Sequence, residues 1–277
     1  MIKVSKKFVD RARGNLRRYQ RVLETARSRD VNESDTCVIV SDMVADLLGY
    51  DKYSEVTTEF AIRSTFCDLA IKLEGNVQYL IEVKSIGTEL KDNHLKQAVD
   101  YAANQGVDWV LLTNGVIWRA YRLRFEKPIQ HDEVFTIDLL DPAAKPAQHL
   151  EKLYLISREA AGSSALGSYA QQKEATSRYV VAQLLLDDSV LTTVRKQLRR
   201  LFPGVRVGAD EIAGLLRNEV LKREVLEGER ADAAEKLVRR ANRKHQRVKA
   251  ERPEPVSVAA TVAKLPDHGP PVGTLAS

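Results

Sequence analysis

The chain has 277 residues, of which 44% are hydrophobic and 29% are charged, a balance typical of a globular protein. No apolar run is long enough to span a bilayer and the first twenty residues lack a signal-peptide stretch, so we expect a cytoplasmic protein without membrane contact. Its two cysteines exclude a disulfide scaffold and a cysteine zinc site.

The first segment, residues 1–30, is strongly basic, with ten Lys or Arg against three Asp or Glu. Apolar residues recur in it at helical spacing, which predicts an amphipathic basic helix. A basic helix suits a polyanion such as nucleic acid, although charge alone is equally compatible with a solvated helix face. The apolar positions of the predicted helix are Phe8, Ala12, Leu16, Tyr19 and Leu23.

The next segment, "ESDTCVIVSDMVADLLGY" (33–50), predicts a second helix that stops at Gly49. Glu33 lies on its apolar stripe, one turn before the first apolar member. An acid near a helix N-terminus is ordinarily a favourable dipole contact. Because Glu33 lies on the apolar stripe that faces inward, the alternative is that its carboxylate belongs to a functional site. The stripe consists of Cys37, Val40, Val44 and Leu47.

Three strands are predicted next, over residues 54–63, 65–73 and 77–85, and the short link at 74–76 predicts a hairpin. Pairing that is symmetric about Gly75 makes every pair on one face largely apolar, which favours that register. The pairs on this face are Leu73 with Val77, Ile71 with Tyr79, Leu69 with Ile81 and Cys67 with Val83.

The same register places Asp68 directly opposite Glu82, with Lys84 two residues further along the same face. Opposed like charges destabilise a sheet, so this pair predicts a bound cation. Carboxylates suit Mg²⁺, with Mn²⁺ as an alternative, and such an ion activates water for attack on phosphorus. The competing interpretation is a plain Glu–Lys ion pair, because the chain repeats Glu-x-Lys at Glu89 and Lys91.

From residue 147 onward the pattern is helical. We expect a long helix to begin near Asp210 and to run through Lys244. Residues 236–249 carry seven basic residues and no acid. The proline-rich tail, residues 251–277, is expected to be disordered. The domains predicted are therefore a basic helix (1–30), an α/β domain (31–140), a helical region (147–250) and the tail. The basic residues expected to contact nucleic acid are Arg239, Arg240, Arg243, Lys244 and Arg247.

The order of a helix with Glu, a three-stranded meander with Asp and a Glu-x-Lys strand resembles the PD-(D/E)xK nuclease superfamily. More narrowly it resembles the N-terminal nuclease domain of type I restriction enzyme R subunits. That family continues with Gln-x-x-x-Tyr on a helix, matched by Gln97 and Tyr101, and a Thr-Asn-Gly turn, matched by residues 113–115. The resemblance covers about residues 30–125, and Cys67 stands where the motif has proline.

The resemblance implies a restriction-endonuclease-like α/β core (helix, antiparallel meander, helix, further strands), followed here by a helical C-terminal region. It implies a Mg²⁺-dependent endonuclease acting on DNA, with RNA left open. Partner subunits or a homo-oligomer through the C-terminal helices are a further expectation. The alternative is a catalytically inactive nucleic-acid-binding or regulatory module on the same fold.

The resemblance also implies a role for each matched residue. Asp68 and Glu82 correspond to metal ligands and Lys84 to the catalytic lysine. Glu33 corresponds to the helix acid that completes the metal site. The residues that support the site or contact DNA are Gln97 and Tyr101.

Overall fold

The computed structural model describes residues 2–62, 65–125 and 128–250. The predicted disordered tail, 251–277, lies outside these residues. The described chain forms two compact units, one within residues 1–177 and one from residue 178 onward. The predicted boundaries near residues 30 and 147 fall inside the first unit.

The chain begins with two amphipathic helices, α1 (Lys6–Ser28) and α2 (Glu33–Asp46). All five apolar positions predicted for α1 are buried, which confirms its helical periodicity. Helix α2 begins after Asn32, whose side chain accepts a hydrogen bond from the Asp35 N–H at 2.9 Å, as expected of an N-cap. The predicted stop is also confirmed, because Gly49 adopts a left-handed φ of +87° just beyond α2.

Six strands within the described residues form one sheet, in the order β1-β2-β3-β4-β5-β6. Strands β3 and β4 are parallel, and the other neighbours are antiparallel. The predicted meander and the hairpin at residues 113–115 are both present. The strands are β1 (Val56–Ile62), β2 (Thr65–Leu73), β3 (Asn76–Val83), β4 (Trp109–Thr113), β5 (Ile117–Arg124) and β6 (Gln130–Asp138).

The predicted β2–β3 register is correct in its centre and wrong near the turn. Leu69 pairs with Ile81 and Ile71 with Tyr79, as expected. An irregularity between Ile71 and Lys72 then shifts the pairing by one residue, so that Lys72 faces Val77. One strand carries an extra residue there, which symmetric pairing does not allow for.

Helices cover both faces of the sheet. On one face α1, α2 and α4 (Pro146–Leu155) pack against residues such as Leu69, Ile81 and Trp118. On the other, α3 (Lys96–Gln105), entered through a 3₁₀ turn at Asp92–Leu95, packs against Leu80 and Leu112.

Cys67 belongs to the cluster beneath α3, whereas Val83 and Leu69 belong to the opposite cluster. The predicted apolar pair of Cys67 with Val83 is therefore wrong. Its thiol instead lies 3.3 Å from the Ile81 carbonyl oxygen.

Two further helices, α5 (Arg158–Ala161) and α6 (Ala165–Ala175), complete the first unit. The second unit contains α7 (Arg178–Leu185), α8 (Asp188–Leu201), α9 (Ala209–Leu215) and α10 (Glu229–Ala250). None of the helices within the described residues is long and apolar enough to cross a membrane.

The long helix predicted from Asp210 is wrong, because the chain breaks between α9 and α10. A π-helical turn (Leu216–Val220) ends at Leu221, whose backbone is extended. A short 3₁₀ turn (Arg223–Val225) follows, and Gly228 has a left-handed φ of +93° directly before α10. A left-handed glycine does not continue an α-helix.

Candidate functional site

The candidate site lies where β2 and β3 separate. Among the described residues their ladder ends at Leu69 and Ile81, one position before Asp68 and Glu82. The Val83 N–H donates instead to the Asp68 carboxylate, with N and Oδ2 2.7 Å apart. A carboxylate thus replaces a backbone acceptor, which fixes Asp68 beside Glu82 on the neighbouring strand.

Glu82 is a buried carboxylate on a central strand. It is 6% exposed and pairs with Leu112 of β4. Burial, reinforced by the negative charge of Asp68, raises its pKa, although the Lys84 ammonium opposes this shift. The Oε2 atom of Glu82 is buried without a hydrogen-bond partner among the described residues. Unpartnered buried oxygens are rare because they cost free energy, so this atom is a candidate ligand atom.

Lys84 links Glu82 to a second acid. Its Nζ lies 2.8 Å from Glu82 Oε1 and 3.2 Å from Glu33 Oε1. Burial lowers the Lys84 pKa, but the hydrogen bonds and charges of the two carboxylates outweigh burial, so the pKa lies above its usual value. The ammonium is therefore held in its charged form between two acids.

Glu33 reaches Lys84 because two loops approach closely. Glu33 opens α2, directly after the loop that contains Asp30. A side chain on Gly87, in the loop after β3, would collide with the Asp30 carboxylate. The loop after Lys84 therefore lies in contact with the loop before Glu33. The Glu33 side chain is half exposed, so the site opens to solvent on this side.

The hairpin between β4 and β5 also holds the loop after Lys84. The Asn114 side chain donates to the Thr88 carbonyl oxygen at 3.0 Å and accepts from the Ile117 N–H at 2.8 Å. Gly115 adopts a φ of +83° where an added Cβ would lie 3.0 Å from Leu23. The sequence predicts this turn, but the bond from Asn114 to Thr88 has no local signal.

The negative charges of Glu82 and Asp68 also affect the pKa of Cys67. Burial raises the pKa of this thiol to about 12, with the negative charges of Glu82 and Asp68 adding to the effect. Cys67 is therefore a neutral, buried packing residue at the back of the site.

The other two residues that the family motif implies lie on α3. Gln97 is exposed, whereas Tyr101 is buried in the cluster that includes Cys67. Burial raises the pKa of Tyr101 to about 12, so its phenol is neutral. Their support of the site stays a prediction.

The predicted nucleic-acid-binding residues lie on α10, in the second unit. Arg239, Arg240, Arg243 and Lys244 are exposed. Arg239 makes an ion pair with Glu235 one turn earlier, 2.9 Å apart. The side-chain environment of Arg247 lies outside the described part of the structure. An exposed basic face fits a polyanion, and nucleic-acid binding by these residues stays a prediction.

A metal site requires more than these distances provide. Among the described residues, no three His, Cys, Asp or Glu side chains converge so as to hold a metal ion. The Lys84 ammonium lies between Glu82 and Glu33. The carboxylate oxygens of Asp68 and the Oε2 atom of Glu82 nevertheless suit a hard cation such as Mg²⁺. Such ions prefer carboxylate ligands and keep several of their water ligands.

Comparison with known proteins relates the segment around this site to a family. Residues 37–135 match the family model described as the N terminus of the type I restriction enzyme R protein (HSDR_N). This segment resembles that family. The predicted resemblance is thereby confirmed, over residues 37–135. The chain matches no curated protein and no solved structure.

We call residues 37–135 the R-protein-like segment. It contains Asp68, Glu82 and Lys84 together with Gln97 and Tyr101. It begins shortly after Glu33 and ends within β6. The helices that follow β6, including basic α10, lie outside the match.

Proposed function

We propose that the chain is a metal-dependent nuclease that hydrolyses phosphodiester bonds of nucleic acid, with DNA as the expected substrate. The observation that carries this proposal is the buried Glu82, which lies beside Asp68 and Lys84 and has one oxygen without a hydrogen-bond partner among the described residues. A purely structural strand gains nothing from such a group, because burying an unpaired polar oxygen is unfavourable. A bound cation would satisfy it.

The element order supports a restriction-endonuclease-like core as the fold of this unit. Helix α2 precedes three antiparallel strands, α3 follows, and β4 then adds to the sheet in parallel with β3. Asp68 lies within β2, Glu82 lies near the C-terminal end of β3, and Lys84 follows directly after β3. The R-protein-like segment spans the strands that carry them.

Asp68 and Glu82 are the residues that would hold Mg²⁺, with Glu33 reaching it through water. When bound, Mg²⁺ polarises a phosphoryl oxygen and lowers the pKa of a bound water. Asp68 keeps its orientation through the hydrogen bond from Val83, so its remaining oxygen is directed by the backbone. Glu82 is oriented by its buried strand position and by Lys84.

Lys84 would stabilise the charge that develops on the phosphate during attack. Its pKa lies above the usual lysine value, so the ammonium stays protonated at neutral pH. A fixed positive charge near the reacting phosphate stabilises the transition state more than the ground state. Because Nζ already contacts Glu82, a phosphate bound next to that carboxylate would lie within its reach.

The matched control for this role is the second Glu-x-Lys copy. Glu89 and Lys91 form an ion pair of 3.2 Å, but their side chains are 81% and 61% exposed. The two copies share chemistry and differ in burial. We expect Lys84→Ala to abolish Mg²⁺-dependent cleavage of plasmid and single-stranded DNA, whereas Lys91→Ala cleaves at the wild-type rate.

Wild-type cleavage that survives EDTA, or equal activity in both lysine variants, would contradict this proposal. A wild-type protein that binds DNA and leaves it intact with Mg²⁺ and with Mn²⁺ would favour a second candidate function. That candidate is a catalytically inactive nucleic-acid-binding module. The observation that favours it is the closed ion-pair network of Glu33, Lys84 and Glu82, which satisfies the lysine without any ligand.

A further inference from the structure

The second unit contains a fixed turn just after α8. Helix α8 ends at Leu201, and the Val205 N–H donates to the Phe202 carbonyl oxygen at 3.2 Å. Pro203 and Gly204 occupy the two central positions, and Gly204 has a φ of +97°. Proline followed by a left-handed glycine is the pattern of a type II turn. The turn therefore has a defined shape, and Phe202 is presented at its start.

Large apolar side chains on this turn are exposed. Leu201 is 63% exposed, Phe202 58% and Val205 51%. The neighbouring residues Leu198 and Val207 pack against the small core of this unit, but these three side chains do not belong to it. Clustered exposed apolar side chains are characteristic of interaction sites.

The sequence around the turn is mainly basic, with acids only at its flanks, at Asp187, Asp188, Asp210 and Glu211. Residues 189–209 contain five Lys or Arg and no Asp or Glu. Arg199, Arg200 and Arg206 are exposed and form no ion pair with any described residue. Three guanidinium groups that form no ion pair among the described residues thus lie within four residues of the exposed Phe202 in the sequence. The partner that fits is an anion with flat apolar faces.

Single-stranded nucleic acid has that chemistry. Its phosphates bind arginine, and its unpaired bases stack on aromatic rings, whereas a duplex hides the base faces in its own stack. An anionic membrane surface also attracts arginine. Membrane-surface segments, however, typically bury a long apolar helix face, and a turn with three apolar side chains offers far less. We propose that residues 199–206, the arginine–phenylalanine turn, bind single-stranded nucleic acid by stacking a base on Phe202.

This proposal is independent of cleavage, because the turn lies in the second unit and its test contains EDTA. Fluorescence anisotropy would measure binding of a labelled twenty-nucleotide oligo(dT) to the full chain. We expect Phe202→Ala and Phe202→Leu to weaken binding about 5- to 150-fold, the range that loss of one stacked base corresponds to. Phe202→Trp should bind like the wild type. Leu215→Ala, the matched control, removes an exposed apolar side chain of the second unit that lies outside the turn, and it should change affinity less than twofold.

The arginines have a separate readout. Replacing Arg199, Arg200 and Arg206 together by Gln should make the slope of log K against log salt concentration less steep. For oligo(dT), this slope should change by about 0.7 for each phosphate that these arginines neutralise. Lys91→Ala, which lies in an exposed ion pair outside both proposed sites, should leave oligo(dT) affinity unchanged. Because binding is measured in EDTA, it does not depend on cleavage, so a failed nuclease and a failed turn are distinguishable. Thermal melts of every variant would establish that each one folds.

Three results would overturn the proposal. If Phe202→Leu binds like the wild type, then apolar contact rather than stacking is responsible. If a duplex of equal length loses as much affinity on Phe202→Ala as oligo(dT) does, no base face is being read. If vesicles with one quarter anionic phosphatidylglycerol depend on Phe202 while oligo(dT) does not, the turn is a membrane-binding segment.

Discussion

Replacing Lys84 by Met tests whether Glu82 is a buried site acid or part of an ordinary surface pair. The side chains of Lys84 and Glu82 are 19% and 8% exposed, so their ion pair is largely buried. Removing one partner of a buried pair leaves an uncompensated charge and typically costs about 3–5 kcal/mol. An exposed pair such as Glu89 with Lys91 contributes at most about 1 kcal/mol. We therefore expect Lys84→Met to destabilise the first unit by about 3 kcal/mol at pH 8, and Lys91→Met by less than about 1 kcal/mol.

The destabilisation caused by Lys84→Met should depend on pH, because the Glu82 carboxylate can take up a proton. Its pKa is already raised from the usual 4.5 by burial. Below pH 4.5 the carboxyl is neutral in both folded and unfolded chains, and its stabilising contribution is complete. As pH rises, the unfolded chain ionises first, so the folded state loses stability until the folded carboxyl ionises as well. Without the Lys84 ammonium, the folded-state pKa of Glu82 rises further, so the carboxyl stays protonated in the folded protein up to a higher pH. The destabilisation caused by Lys84→Met should therefore be smaller at about pH 5 than at pH 8.

Urea unfolding followed by tryptophan fluorescence measures these free energies. The chain has two tryptophans, Trp109 and Trp118, and both lie in the sheet of the first unit. The signal therefore reports the unit that contains the site. The double variant Glu82→Gln with Lys84→Met should recover most of the lost stability, since no buried charge remains. Equal penalties for Lys84→Met and Lys91→Met would refute the buried-acid interpretation.

Three shorter predictions concern the turn, the metal and the basic helix. Gly115→Ala should destabilise the first unit by about 1–2 kcal/mol in the same urea assay, because alanine is strained at a φ of +83°; an unchanged midpoint would contradict this. Mg²⁺ at 100 times its dissociation constant should stabilise the wild type by about 2.7 kcal/mol in thermal melts at pH 7, and Asp68→Asn clearly less; equal shifts would exclude the site. Glutamine at four exposed basic positions of α10 should flatten the salt dependence of DNA binding by about 0.9 for each phosphate that these side chains neutralise, whereas an unchanged slope would show that this face does not contact DNA. Those positions are Arg239, Arg240, Arg243 and Lys244.

Much of the fold can be predicted because buried residues recur at regular intervals along helices and strands. The buried positions of α1 repeat at helical spacing, and the strands around Gly75 alternate or run apolar. The breaks are harder to predict. The residues around Gly228 carry helix-compatible side chains on both sides, so the sequence suggests one long helix where the structure has two. Strand β6 also mixes polar and apolar residues, and its pattern does not predict it individually.

The candidate site shows the same division. The symmetric hairpin register predicted from the sequence already places Asp68 next to Glu82 and Lys84. The side chain of Asp68 takes a hydrogen bond that the ladder would otherwise make, and no pattern of residue types reveals such a substitution. The contact of Glu33 with Lys84, and that of the Gly87 loop with Asp30, join segments that lie far apart in the sequence. Local periodicity carries no information about such contacts.

The most direct test of the central claim is single-turnover cleavage of labelled DNA as Mg²⁺ is increased. Four proteins should be compared: the wild type, Asp68→Asn, Glu82→Gln and the matched control Glu89→Gln. We predict that the wild type and Glu89→Gln cleave with the same saturating dependence on Mg²⁺, while the other two lose cleavage at every concentration. Wild-type rates in Asp68→Asn or Glu82→Gln would contradict the account and leave Glu82 and Lys84 as a structural ion pair.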